Sequence, residues 1–248
     1  MKYTLITGAT SGIGKALAFR MAKENRNLIL VARSENKLKE VSDSIKNQHP
    51  IDVITLLVDL SDIDQVKASY DKTKDYDIDL WINNAGLGDY SLAWETNIDK
   101  AIDMVNVNVT ALMHYSLSFV RDYQDKAAIL LNVSSGGGYH VFNKAVTYCA
   151  SKFFVSAFSE GIAQNLALHK KKLRVKILAP GGTNTNFVAS SEAGATYKGE
   201  DIFDINSFME PETLADYVLE LITSDKVIGM VGRENKFLLK DPIFPYGG

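Results

Sequence analysis

Tyr148 and Lys152 stand four residues apart in the run Thr147-Tyr-Cys-Ala-Ser-Lys152, and a serine pair, Ser134 and Ser135, lies just upstream. On a helix that spacing places a phenol and an ammonium on one face, in reach of one substrate. A free phenol titrates near ~10 and is a poor proton donor or acceptor at neutral pH. A cation held beside it favours the phenolate and brings the group toward the working range. The pair therefore reads as a general acid/base. The competing reading is a half-buried core ring beside a solvated surface charge.

The start of the chain decides between the two. Lys2 to Thr7 is a short β-branched and apolar run, and Gly8-x-x-x-Gly12-x-Gly14 follows at once, leading into the helical pattern Ala16, Leu17, Phe19, Met21. A strand that turns through glycines into a helix N-terminus points backbone N–H groups and the positive end of the helix dipole outward, which makes a phosphate cradle. The spacing differs from the Gly-x-Gly-x-x-Gly of the common dinucleotide fingerprint.

The elements that must position these groups alternate along the chain. Asn27 to Ala32 and Val53 to Val58 are near-continuous apolar runs, as strands covered on both faces should be. Between them Leu38, Val41 and Ile45 recur at helical spacing. Asp79 to Ile82 leads into Asn83-Asn-Ala-Gly86, Ile129 to Val133 into the two serines, and Arg174 to Leu178 into Ala179-Pro-Gly181. The stretch from Thr96 to Tyr123 carries apolar residues at helical spacing around the polar Asn106 and Asn108. This alternation predicts an α/β fold, a doubly wound parallel sheet with helices on both faces, in a single domain over 1–248. Ligands in such sheets bind at the carboxyl ends of the strands, where each of these motifs sits. The segment from Phe187 to Met209 mixes Gly194 and Gly199 with Phe187, Tyr197, Phe203 and Phe208, and reads as a mobile apolar lid over about 187–209. A lid of that composition suits an apolar carbonyl or alcohol substrate.

Composition narrows the partners. The net charge is −3 at pH 7, which gives no reason to expect nucleic acid or an anionic membrane. The basic run His169 to Lys172 reads as a solvated helix end. One cysteine, Cys149, excludes an internal disulfide and a cysteine-rich metal site, and no metal is expected. No apolar run approaches ~18 residues and no targeting pattern precedes the first strand, so the cytoplasm is the expected location.

Taken in order, Thr7-Gly8-x-x-x-Gly12-Ile-Gly14, Asn83-Asn-Ala-Gly86, Ser135 and Tyr148-x-x-x-Lys152 resemble the short-chain dehydrogenase/reductase family in its single-domain branch, over roughly residues 3 to 185. The resemblance implies a Rossmann-type fold and hydride transfer between a nicotinamide and a carbonyl or secondary alcohol. It implies a catalytic set of Asn108, Ser135, Tyr148 and Lys152. Ser135 lies thirteen residues before Tyr148, the family's interval, and Ser134 is one residue off. Asn108 fits the family's Asn-x-x-small pattern better than Asn106; in the family this asparagine kinks its helix, and its main chain holds a water that relays protons to the lysine. Lys152 would also bind the nicotinamide ribose hydroxyls.

The cofactor contacts implied are Gly8, Thr10, Ser11, Gly12, Ile13 and Gly14 in the glycine loop, and Asp59 at the adenine with Leu60 beside it. Asn84, Ala85 and Gly86 follow along the trough, with Tyr148 and Lys152. Pro180, Gly181, Thr183 and Thr185 close the set near the carboxamide, where Thr183 replaces the usual aliphatic residue. Asp59 has a competing reading as the N-cap of the helix after Ser61.

Cofactor choice rests on the end of the second strand. An NAD enzyme places Asp or Glu there for the ribose 2′-hydroxyl, whereas this chain reads Val31-Ala-Arg33-Ser34. A guanidinium can pair bidentately with a 2′-phosphate, so NADP(H) is expected ahead of NAD(H); an ordinary surface cation is the competing reading of Arg33. The C-terminus lacks the Val-Asp-Gly-Gly ending of many tetrameric relatives, which leaves homodimer and homotetramer both open. Two other functions compete: a non-catalytic NADP(H) sensor of the same fold, and a nucleotide-sugar epimerase. Epimerase chains are longer and begin with Gly-x-x-Gly-x-x-Gly.

Overall fold

Apolar side chains on both faces of consecutive strands require two covering layers, and the chain supplies them. In the first strand, β1 (Lys2–Thr7), Tyr3 and Leu5 pack on one side of the sheet and Ile6 on the other. In β2 (Asn27–Ala32) Ile29 and Val31 join the first side and Leu28, Leu30 and Ala32 the second. The computed structural model describes residues 1–202 and 204–247. Phe203, named above with the lid, lies outside the described residues, as do Gly248 and the side chain of Arg233.

The remaining strands are β3 (Val53–Leu57), β4 (Asp77–Asn83), β5 (Ile129–Val133), β6 (Arg174–Ala179), β7 (Ile228–Val231) and β8 (Phe237–Lys240). All enter one sheet in the order β3-β2-β1-β4-β5-β6-β7-β8. The first seven run parallel and β8 returns antiparallel to β7. The expected doubly wound sheet is therefore present, with an antiparallel edge hairpin that the alternation of the sequence does not announce. The helices are α1 (Gly12–Lys23), α2 (Glu35–Gln48), α3 (Ile63–Thr73), α4 (Ile98–Val105), α5 (Leu112–Tyr123), α6 (Val146–Leu168), α7 (Asn186–Glu192) and α8 (Pro211–Thr223). Helices α1, α2 and α8 cover the face of Ile6 and Leu30, and α3, α5 and α6 cover the face of Leu5 and Val31.

Strand order reverses between β1 and β4, so their carboxyl ends diverge and open a crevice. The two ends are tied together below it. Thr7 Oγ1 accepts from the Asn84 and Ala85 amides, both at 3.0 Å. A buried polar chain stiffens the floor: Trp81 Nε1 donates to Asn83 Oδ1 at 2.9 Å, Asn83 Nδ2 donates to Asn132 Oδ1 at 2.9 Å, and Asn132 Nδ2 donates to Ser159 Oγ at 2.8 Å. Every member is satisfied, which is what makes such a chain affordable in a core.

The stretch expected as one helix from Thr96 to Tyr123 is interrupted. Residues Asn106–Ala111 form a π-helical turn between α4 and α5. A widened turn releases side chains from the ordinary helical register and recurs at functional positions. Among the described residues no helix is long and apolar enough to cross a membrane.

Candidate active site

The glycine loop comes first because its backbone shape sets everything above it. Gly8 and Gly12 take positive φ, +66° and +49°, which glycine adopts without strain. Gly14 answers a different demand. A Cβ there would stand 2.3 Å from Gly8 O and 2.4 Å from Asn84 Nδ2, so α1 can seat against the loop only with hydrogen at this position. Ser11, the residue before α1, is extended and makes no side-chain cap bond, and the first turn carries no acid. The leading amides of α1 are thus left for an outside anion.

A continuous cavity of about 580 Å³ runs over this loop. One end is walled by Arg33, Ser34 and Lys37, the middle by Gly8, Thr10, Ser11, Gly12 and Ile13, and the other end by Ser135, Tyr148 and Lys152. Asp59, Leu60, Asn84, Ala85, Gly86, Pro180, Gly181, Thr183 and Thr185 line it as well. Of the residues proposed from the sequence, Gly14 and Asn108 are the two outside this lining. Gly14 sits behind the loop, where its contribution is packing and not ligand contact.

Asn108 acts through hydrogen bonds. It is 1% exposed and lies in the π-helical turn. Its Oδ1 accepts from Leu87 N at 2.8 Å, and its Nδ2 donates to Leu87 O at 2.9 Å and to Ser151 Oγ at 3.0 Å. These bonds pin the segment after Gly86 to α6. A Cβ on Gly86 would lie 3.3 Å from Asn108 Oδ1 and 3.4 Å from Lys152 Nζ, so the amide and the ammonium converge beneath that glycine. Asn106, the alternative, is half-buried and outside this arrangement.

The serines separate cleanly. Ser134 is buried, shares a hydrogen bond with Ser156 Oγ at 2.7 Å and donates to Lys152 O at 3.2 Å, which makes it a brace between β5 and α6. Ser135 faces the cavity, and its side chain is hydrogen-bonded to the Tyr148 phenol. Its Oγ also accepts from Gly137 N at 3.0 Å.

The electrostatics of the pair differ from what the four-residue spacing suggests. Burial pushes the Tyr148 phenol well above its ordinary value, against the hydrogen bond from Ser135. Lys152 Nζ stands 6.0 Å from the phenol ring centre and donates to Val133 O at 2.9 Å. Desolvation brings the ammonium down to about 8. At this separation burial outweighs the cation, so the phenol is held in its protonated, donating form.

Asp59 is not the helix cap. Asp62 caps α3, accepting from Asp64 N and Gln65 N, while Asp59 Oδ1 accepts from Ser61 N at 2.9 Å and Ser61 Oγ at 2.7 Å. Those bonds hold its carboxyl below the ordinary range, with Arg33 adding to the shift.

The lid is docked. Lys100 Nζ, on α4, donates to Ser191 O at 3.0 Å and Ala193 O at 2.8 Å at the end of α7, and pairs with Asp89 at 2.7 Å. Tyr197 N donates to Tyr90 O at 3.0 Å. Gly88 lets the lid approach: a Cβ there would meet Ser191 Oγ at 2.3 Å and Phe187 Cζ at 2.7 Å. Phe187 lies 5.5 Å from Tyr148, ring centre to ring centre. Tyr90 and Phe142 pack with Tyr148 and Phe187 at this end, and Asp103 and Val107 also line the cavity. They belong to no motif and have no periodic signature, so sequence reading passes over them.

Comparison with known proteins agrees with this geometry. The family model described as short chain dehydrogenase matches residues 2–196. An NADP-dependent 3-hydroxy acid dehydrogenase of Schizosaccharomyces pombe is 28% identical over 98% of this chain and 92% of its own length. A 7beta-hydroxysteroid dehydrogenase of Mediterraneibacter gnavus is 30% identical over 97% of this chain and 89% of its own. Among solved structures, a short-chain dehydrogenase from Sphingobium yanoikuyae in complex with NADPH superposes with a TM-score of 0.82 at 24% identity, covering 92% of this chain and 86% of that one. At that identity the likeness is one of fold.

Proposed function

The chain belongs to the short-chain dehydrogenase family, a dehydrogenase/reductase in reaction class, and on that premise we propose that it is an NADP(H)-dependent enzyme interconverting a carbonyl compound and its alcohol. The observation that carries this reading is the order of groups along one cavity: a guanidinium, then the uncapped amides of α1, then the Ser135, Tyr148 and Lys152 set. That order matches a 2′-phosphate, a pyrophosphate and a nicotinamide with its substrate. When bound, the nicotinamide supplies or accepts the hydride.

The residues do the rest. Ser135 hydrogen-bonds the substrate oxygen and holds it against the Tyr148 phenol. Tyr148 donates its proton to that oxygen as charge develops on it. Lys152 presents its ammonium beneath Gly86, where it holds ribose hydroxyls and favours proton loss from Tyr148. Asn108 fixes the Leu87 backbone above it. Arg33, with Lys37 near it, pairs with the 2′-phosphate and sets the preference for NADP(H) over NAD(H). The enzyme works as one domain, cytoplasmic, as a homodimer or homotetramer on a small apolar substrate.

Oxidation of NADPH, followed by absorbance against a panel of ketones, aldehydes and quinones, tests this reading. Turnover with at least one class is expected. Tight NADPH binding with no turnover on any would favour the sensor.

A further inference from the structure

Glu160 is fully buried on α6, the helix that carries Tyr148 and Lys152, and takes no part in the chemistry above. Its carboxylate has three donors. Ile243 N and Phe244 N, in the segment after β8, donate to Oε2 at 2.5 and 2.8 Å, and the Tyr139 hydroxyl donates to Oε1 at 2.8 Å. A buried carboxylate holds its donors in place, because any that moved away would leave the charge underpaired. The Phe244 ring stacks on Tyr139 with centres 5.7 Å apart. The segment is fastened on either side of this contact, by Lys226 to Asp241 at 3.0 Å and by Asn165 Nδ2 to the Tyr246 hydroxyl at 3.2 Å.

Tyr139 closes the turn that begins at Ser135. Gly138 N donates to Ser135 O at 2.9 Å and Tyr139 N to Gly136 O at 3.1 Å, while Gly137 N supplies the bond to Ser135 Oγ. The turn is wedged between the phenol and α6: a Cβ on Gly137 would lie 3.4 Å from Tyr148 Cε1, and one on Gly138 would lie 2.3 Å from Ser134 Oγ and 2.7 Å from Lys152 O. Three successive glycines have wide backbone freedom and no side chains to hold them, so the shape of the turn depends on what its ends are fixed to. Tyr139 is fixed to Glu160, and its hydroxyl is also hydrogen-bonded to Ser156, which shares a bond with Ser134. We propose that Glu160 is a positioning residue: with the backbone of Ile243 and Phe244 it fixes Tyr139, and through the glycine turn it sets where the Ser135 hydroxyl stands against the reacting oxygen. The inference rests on the oxidoreductase reading above, in which Ser135 holds that oxygen.

The test measures kcat per NADPH-binding site on the best carbonyl substrate, so that a loss of folded protein does not move the result. Tyr139→Phe keeps the ring and removes the bond to Glu160; it should lower kcat ~10-fold, since a small misplacement of a positioned group is enough. Phe244→Ala, at the surface, should lower it ~3-fold, and NADPH affinity should stay within ~2-fold in both variants. Glu160→Gln still accepts from the two amides and should stay within ~3-fold of the parent, whereas Glu160→Leu should lose at least ~10-fold. Ser135→Ala should itself leave a measurable rate ~10²- to 10³-fold down. Combined with Ser135→Ala, neither Tyr139→Phe nor Phe244→Ala should lower kcat further, because the group they act through is gone. A Tyr139→Phe variant with the parent kcat overturns the inference while leaving the oxidoreductase reading intact. Equal fold losses with and without Ser135→Ala mean a general loosening of the site and overturn it as well. Turnover of no carbonyl compound by the unmutated protein overturns the underlying reading and this inference with it.

Discussion

Replacing Arg33 by alanine should weaken NADPH binding ~10- to 30-fold and leave NADH binding nearly unchanged. The guanidinium follows β2 directly and lines the cavity beside Ser34 and Lys37. A hydrogen bond to a charged group contributes ~1.5–3 kcal/mol. Arg33 is exposed, so water competes for the phosphate and the lower half of that range applies, ~1.5–2 kcal/mol. At 1.36 kcal/mol per tenfold this is the stated ~10- to 30-fold. Lys37 lies one turn on, in α2, and lines the same end. It should preserve a residual preference of about a few-fold, which Arg33→Ala/Lys37→Ala removes. Arg33→Asp should go further, repelling the phosphate and offering the 2′-hydroxyl an acceptor. Titration of each dinucleotide by protein fluorescence, at low and high salt, measures all of this; the preference should shrink as salt rises. Equal affinities for NADPH and NADH in the unmutated protein, or an Arg33→Ala variant that holds NADPH as tightly as before, would refute the reasoning.

Three other perturbations follow from the same geometry. The Lys152 ammonium, brought down to about 8 by burial, is present below that pH and lost above it, so carbonyl reduction should fall as pH rises through about 8. A pH–rate profile flat through that region would contradict the role given to its charge. Because the folded value lies below the ordinary 10.5, the unfolded chain binds more protons between the two, and Lys152 contributes a stability that rises with pH across that window. Gly14→Ala drives a Cβ against Gly8 O and Asn84 Nδ2; it should cost ~1–3 kcal/mol, seen as a lower Tm and weaker NADPH binding, and an unchanged melt would show that α1 seats otherwise. Lys100→Met leaves the buried Asp89 without its cation and α7 without its tether. It should raise KM and open residues 186–209 to limited proteolysis, whereas a cleavage pattern like the parent's would deny the tether.

Much of this fold is legible in the residues. β1, β2 and β5 have the bounds expected of them, because a strand buried on both faces is a near-continuous apolar run with polar ends. The edge hairpin escapes for the opposite reason. β7 and β8 are four residues each, and all of β8 is half-buried, so neither shows a long apolar run or a clean alternation. The π-helical turn escapes too, since apolar residues at helical spacing continue through Asn106–Ala111 and register alone cannot reveal a turn one residue wider. In the site, the motif residues were readable because backbone chemistry demands them: positive φ at Gly8 and Gly12, and no room for a Cβ at Gly14. Tyr90, Lys100 and Asp103 were not, since they meet the site only through tertiary packing. Spacing alone does not give the titration of Tyr148, because four residues on a helix fix a face but not the burial that governs the phenol.

The most direct test of the central claim is turnover by Tyr148→Phe on the best carbonyl substrate, with NADPH binding measured on the same sample. The substitution keeps the ring that packs near Phe187 and removes only the proton donor. Loss of a positioned general acid costs ~10²–10⁴-fold, so the rate should fall at least that far while the NADPH affinity stays within ~2-fold, which is ~0.4 kcal/mol. A variant that binds NADPH and retains most of the parent rate would contradict the assignment of Tyr148 as the acid.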